Sequence, residues 1–181
     1  DDIRGFLADE IRKSGVDLRF GSQIRAVHSV GDAFRVELDG GGELDADAIL
    51  CATGRRPNVA DLNLESTKVK FSEEGFIQVN EHFQTDEPSI FALGDLIGGP
   101  QLTPVALAQG MAFAKTQFGE QPASVDYEYI PSAVFSQPSI GTVGFTEREA
   151  RERFGKVTIY RSEFKPMKHT LSGREERSMI K

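Results

Sequence analysis

The sequence holds one cysteine, Cys51, and no tryptophan. A single thiol excludes a disulfide framework within the chain and fits a reducing compartment such as the cytoplasm. No apolar run approaches the length needed to cross a bilayer. Basic residues are the minority, 21 against 28 acidic ones, so the chain offers no field suited to nucleic acid. The histidines, His28, His82 and His169, lack neighbours at the spacing of a metal site, so none is expected. There is no Gly-x-Gly-x-x-Gly phosphate loop and no Gly-x-Ser-x-Gly nucleophile elbow. No internal repeat or low-complexity tract is present. What remains is a globular composition, 39% apolar with 13 Phe in 181 residues, enough for one or two modest domains.

Against these absences stands one organised stretch, from Thr85 to Gly119. Ile90 to Leu93 is a short apolar run between turn signals and reads as a buried strand. It delivers Gly94 and Asp95, where a glycine leaves room for a ligand near the backbone and an aspartate can accept from hydroxyls. Asp95 could equally close a turn. Beyond a loop, Thr103 is placed as an N-cap and Pro104 as the first helical residue. Leu107, Met111, Ala114 and Phe118 recur at helical spacing, and Gly119 stands at the C-cap. The helix N-terminus would offer unpaired N–H groups and a positive dipole end to an anion.

In chain order, Ile3, Phe6, Leu7 and Ile11 mark a helix stopped at Ser14-Gly15. Val16, Leu18 and Phe20 alternate like a strand; Ile24 to Val30 and Phe34 to Leu38 are strands, and the glycines at 40–42 turn the chain into Leu44. Ala48 to Ala52 is apolar throughout, suited to a sheet covered on both faces, and Cys51 within it should be a buried, inert hydrophobe. Phe76 to Val79 and Phe83 are brief strand candidates. Gly54 suits a turn, and Arg55 and Arg56 suit ion pairs. After a linker, Tyr127 to Phe135 regains strand character. Thr146 and Glu149 have the spacing of a capping box before a helix that Gly155 stops, and Val157 to Phe164 and Ser178 to Lys181 are strands.

The run from Thr85 through Gly94-Asp95 to Leu102-Thr103-Pro104-Val105-Ala106 resembles the second flavin-binding motif of the FAD-dependent pyridine-nucleotide-disulfide oxidoreductases. Ala52-Thr53-Gly54-Arg55-Arg56-Pro57-Asn58 resembles the exit from that family's NADPH domain, and Ile130 to Glu147 the opening of its dimer-interface domain. Three ordered motifs cover nearly the whole chain, and they are most similar to the glutathione-reductase branch. The resemblance implies an α/β fold, α+β towards the C-terminal end: part of the doubly wound FAD/NAD(P)-binding fold followed by the start of the dimerisation domain. It divides the chain into residues 1–54, the C-terminal half of the NADPH-binding domain; 55–122, a central segment with the flavin motif; and 123–181, the N-terminal half of the dimerisation domain.

The resemblance further implies FAD and NADP(H) as cofactors, glutathione disulfide as substrate and a homodimeric parent. It places Gly94, Asp95, Gln101, Leu102 and Thr103 against the flavin and Gly54 beside the nicotinamide nucleotide. It assigns no catalytic residue here. The phosphate loops and the redox cysteine pair would precede Asp1 and the catalytic histidine would follow Lys181, so the isolated chain is expected to be an inactive internal piece. One departure is Met111, where several members carry a substrate-binding arginine. Plant and cyanobacterial members also lack it, and Lys165 to Arg174 resembles theirs. A sister flavoprotein, of the mercuric or dihydrolipoyl type, and a non-catalytic flavin-binding or dimerisation domain are the alternatives. The Thr103-Pro104-Val105 opening of the central helix speaks against the dihydrolipoyl type, which usually has a histidine there.

Overall fold

Local signals account for the first helix and the meander that follows it, in a computed structural model that describes residues 2–181. Helix α1 (Asp2–Lys13) carries an acid in its first turn and Arg12 and Lys13 in its last, as the helix dipole favours. Its end is closed by Ser14 Oγ donating to the Ile11 carbonyl at 2.7 Å and by Gly15 at φ +88°. Strands β1 (Ile24–Val30), β2 (Ala33–Leu38) and β3 (Glu43–Ala46) form an antiparallel meander. Val36 lies between Val27 and Leu44 and is buried, the register that apolar alternation demands. Arg35 pairs across the ladder with Asp45 at 2.9 Å and holds that carboxyl below its ordinary range.

The chain divides into two units. One draws on residues up to Thr53, Val134–Ile140 and Phe154–Lys181; the other on Gly54–Ala133 and Gly141–Arg153. In the first, β6 (Ser162–Phe164) and β7 (Ser178–Ile180) pair antiparallel. Buried Glu10 of α1 takes Lys13 at 2.5 Å and accepts from the Arg177 backbone N–H at 3.0 Å, so its charge is compensated. His169, also buried, meets Glu176 at 3.1 Å, and this bond lowers the Glu176 pKa.

The second unit is built around Leu64, Val69, Ile77 and Ala92, with Val59, Val79, Ile90, Leu96 and Ile97 packed against them. It carries α2 (Thr103–Phe118) and most of α3 (Glu147–Phe154). The capping box of α3 forms as its spacing requires. Thr146 N–H and Oγ1 both donate to Glu149 Oε2, at 2.8 and 2.7 Å, while Glu149 N–H donates to Thr146 Oγ1 at 3.3 Å.

Several expected strands are not strands here. Residues 16–20 and 48–52 form no ladder among the described residues, and Leu50 is 90% exposed. Ile90 to Leu93, Phe76 to Val79 and Phe83 supply only two isolated antiparallel bridges, Gln84 to Phe91 and Phe71 to Ile77. Of Tyr127–Phe135 and Val157–Phe164 only Ser132–Val134 (β4) and Ser162–Phe164 are strand; Ile140–Thr142 (β5) was not anticipated. The reason is common to all of them. An apolar or alternating run becomes a strand only where a neighbour supplies the hydrogen bonds. Cys51 falls in such a run, and the thiol expected to be buried is exposed.

Candidate cofactor site

The approach to Gly94 is built from turns that use their side chains as backbone partners. Asn80 Oδ1 accepts from the N–H groups of His82 and Gln84, at 2.9 and 3.0 Å, and holds buried Phe83 at φ +65°, a conformation bulky residues avoid. Phe83 in turn offers its carbonyl to Ala92 N–H at 2.9 Å. Thr85, buried, accepts from Glu87 N–H at 3.1 Å and lies 2.9 Å from the Ile90 carbonyl. These contacts deliver Ala92 into the core and Gly94 to its edge.

Gly94 takes φ +72°, and a Cβ built there would meet Ala106 Cβ of α2 at 3.5 Å. Conformation more than space favours glycine at this position. Residues Gly94–Ile97 then form one 3-10 turn, tied back by Ile77 N–H donating to the Leu96 carbonyl at 2.9 Å. Gly98, at φ +76°, lies against the Phe76 ring, which a Cβ would approach to 3.2 Å. Asp95 stands on this turn with its side chain half exposed, and Arg55 Nη1 is 3.6 Å from its carboxylate. That contact is longer than a hydrogen bond, so the carboxylate retains acceptor capacity for hydroxyl groups.

At the start of α2 the cap differs from expectation. Leu102, in extended conformation, is the N-cap, and Thr103 is already helical and makes no side-chain capping bond. The N–H groups of Val105 and Ala106 both turn to the Leu102 carbonyl at 3.0 Å, and Pro104 has none. Of the first-turn donors, Thr103 N–H remains for a ligand together with the positive dipole end. Gln101 and Thr103 are exposed and Leu102 is half-buried beside it. Gly54 has φ +117° and open space around it, and its neighbour Arg55 is the residue that reaches Asp95. The expected apolar face of α2 points outward, with Leu107 66% and Met111 62% exposed. The buried face is Val105, Gln109 and Ala112.

Gln109 is the functional candidate that sequence reasoning missed. It is the most buried side chain, at 2% exposure; its Oε1 accepts from Gly94 N–H at 2.6 Å and its Nε2 donates to the Tyr127 hydroxyl at 3.0 Å. Its spacing of four from Val105 and three from Ala112 was the available signal, disguised by its polarity. Among the described residues no group of three or more His, Cys, Asp or Glu could hold a metal ion, and no helix is long and apolar enough to cross a membrane.

Residues 1–110 match the pyridine nucleotide-disulphide oxidoreductase family, and residues 130–181 match that family's dimerisation domain. A glutathione reductase of Burkholderia cepacia is 44% identical across all 181 residues, which cover 40% of that protein. The chloroplastic/mitochondrial glutathione reductase of Pisum sativum is 45% identical over 160 residues, 88% of this chain and 29% of the relative. Among solved structures, the HOCl-induced flavoprotein disulfide reductase RclA from Escherichia coli superposes with a TM-score of 0.79 at 29% identity, over 91% of this chain and 37% of that one. The chain thus spans at most about two fifths of the length of these relatives. Its fold is the family's α/β architecture running into the dimerisation domain, and the chain belongs to the pyridine nucleotide-disulphide oxidoreductase family.

Proposed function

We propose that the chain is the flavin-holding part of an NADPH-dependent FAD enzyme that reduces glutathione disulfide, working as a cytoplasmic homodimer. The observation that carries this reading is the Gly94–Asp95 turn, set against the start of α2 with a carboxylate free to accept hydroxyls, in a chain similar to glutathione reductases along its whole length. The reading divides the chain into 1–54 for the nucleotide, 55–122 for the flavin and 123–181 for dimerisation.

The donor set fits a dinucleotide cofactor. Asp95 would hold a ribityl or phosphate-side hydroxyl, and Gly94 would admit the cofactor close to the backbone. Thr103 N–H and the dipole of α2 would favour negative charge brought near Gln101 and Leu102. Gly54, with no side chain and open space around it, would leave room for the nicotinamide nucleotide. FAD, when bound, would supply the acceptor for two electrons drawn from NADPH. The residues of this chain would bind and orient it, while the disulfide chemistry would fall to a cysteine pair outside these 181 residues.

Asp95→Ala in the protein that carries this chain should weaken FAD binding. A hydrogen bond to a charged group contributes about 1.5–3 kcal/mol. Because Asp95 is half exposed, the lower end applies, about tenfold in Kd. Flavin absorbance after dialysis and titration of the apoprotein measures it. Retention at the wild-type level would remove Asp95 from the site, and turnover of another disulfide in preference to glutathione disulfide would overturn the substrate assignment.

A further inference from the structure

We infer that Gln109 is the positioning residue of the flavin turn: its amide clamps the Gly94 backbone, and the Tyr127 hydroxyl anchors the other end of that amide. This rests on the flavin reading of Asp95 given above. The amide orientation follows from chemistry. A backbone N–H can only donate, so Oε1 must face Gly94; Nε2 can only donate, so the Tyr127 hydroxyl must accept it. Both contacts are long in sequence, 15 residues to Gly94 and 18 to Tyr127, and so tie the turn and the 127 segment to the middle of α2.

The side chain is too costly to be mere filler. It occupies the buried stripe of α2 with Val105 and Ala112, where leucine would fill the space without dehydrating an amide. What leucine could not do is hold Gly94 N–H, which points towards the helix and away from the backbone ladders of the turn. Asp95 is the next residue, so a shift at Gly94 moves the carboxylate directly.

Three variants test this. In the protein that carries this chain, Gln109→Leu should move the Gly94 amide proton upfield and speed its hydrogen exchange about fivefold, because a half-buried donor loses its partner. The Ile77 amide, bonded to Leu96, should stay slow and report that the core is intact. Gln109→Glu should rescue Gly94, since a carboxyl group in either protonation state can accept from it. Tyr127→Phe should leave the Gly94 bond in place and speed Gly94 exchange less than Gln109→Leu does, because the amide keeps its orientation and loses only its second anchor. In the flavin-loaded enzyme, Gln109→Leu should raise the FAD Kd and Gln109→Glu should restore it to within a few-fold. If Gly94 exchange is unchanged in Gln109→Leu while Ile77 is protected, the positioning role is wrong. If the leucine variant is unfolded, an unshifted Gly94 resonance in Gln109→Glu, where a charged or acidic acceptor must alter it, overturns the clamp. If Gly94 is freed but FAD binds as before, the clamp stands and the flavin reading of the turn fails.

Discussion

Replacing Thr85 by valine removes one hydroxyl and changes the side-chain volume little, so its consequence can be worked from the turn it closes. That hydroxyl accepts from Glu87 N–H at 3.1 Å and lies within donating distance of the Glu87 and Ile90 carbonyls, at 3.0 and 2.9 Å. The Ile90 carbonyl still receives the Thr85 backbone N–H at 3.0 Å in the variant. The Glu87 N–H is only half-buried, so water reaches it in part. The loss is therefore towards the lower end of the range for an abandoned partner, about 1–2 kcal/mol. Burying the added methyl returns up to ~0.8 kcal/mol. A net cost of ~1 kcal/mol corresponds to about fivefold faster exchange of the Glu87 amide. Thr85→Ser separates the causes: it keeps the hydroxyl and gives up a buried methyl, so the Glu87 amide should stay slow while the denaturant midpoint falls. Unchanged Glu87 exchange and an unchanged midpoint in Thr85→Val would refute the assignment of this turn to the hydroxyl.

Ile77→Ala should cost about 2–5 kcal/mol through the cavity left among Leu64, Val69 and Ala92. Leu107→Ala, on the outward face of α2, should stay within about 0.5 kcal/mol, and equal costs in urea titrations would show that the helix is turned the other way. The α3 capping box should be acid-sensitive. Hydrogen bonds from the Thr146 hydroxyl and then its N–H hold the Glu149 carboxyl below its ordinary range, so its contribution is complete above the unfolded pKa and is lost as pH falls through the lower folded one. A side-chain NMR titration of Glu149 should show the depressed midpoint, and Thr146→Ala should return it towards the ordinary value.

How much of this was legible in the sequence depended on where each signal resides. The α1 helix, the meander and the α3 cap are specified by residues within a few positions of one another: Ser14-Gly15 stops a helix, Gly40 to Gly42 turn a hairpin, and Thr146 finds Glu149 three residues on. Those elements could be placed from the chain alone. The runs at 48–52 and 90–93 could not, because a strand is a relation to a neighbour, and apolar character says only that a neighbour would be welcome. The extent of α2 was readable from Pro104 and Gly119, but its orientation was not. Leu107, Met111 and Phe118 present the stronger apolar stripe, yet the buried face contains a glutamine whose two distant partners no helical pattern reveals. For the same reason the Asp95 candidate was visible as a motif while the residue that clamps its neighbour was not.

The Arg55–Asp95 contact bears directly on whether Asp95 can act as a hydroxyl reader. A guanidinium already beside the carboxylate would block that role if the pair were strong. It is not strong: the nearest atoms are 3.6 Å apart, the arginine side chain is 80% exposed and the aspartate 50%. Exposed pairs of this kind contribute about 0–1 kcal/mol, less than the ~1.5 kcal/mol of a hydrogen bond to a half-exposed charged group, so a ligand hydroxyl would not have to expel a tight partner from the carboxylate. The backbone beneath it is in the opposite condition, since Gly94 N–H is held at 2.6 Å by a buried amide. On the proposed flavin reading, a fixed main chain with an exchangeable side-chain partner would let Asp95 trade solvent and Arg55 for a ligand hydroxyl while the turn stays in place.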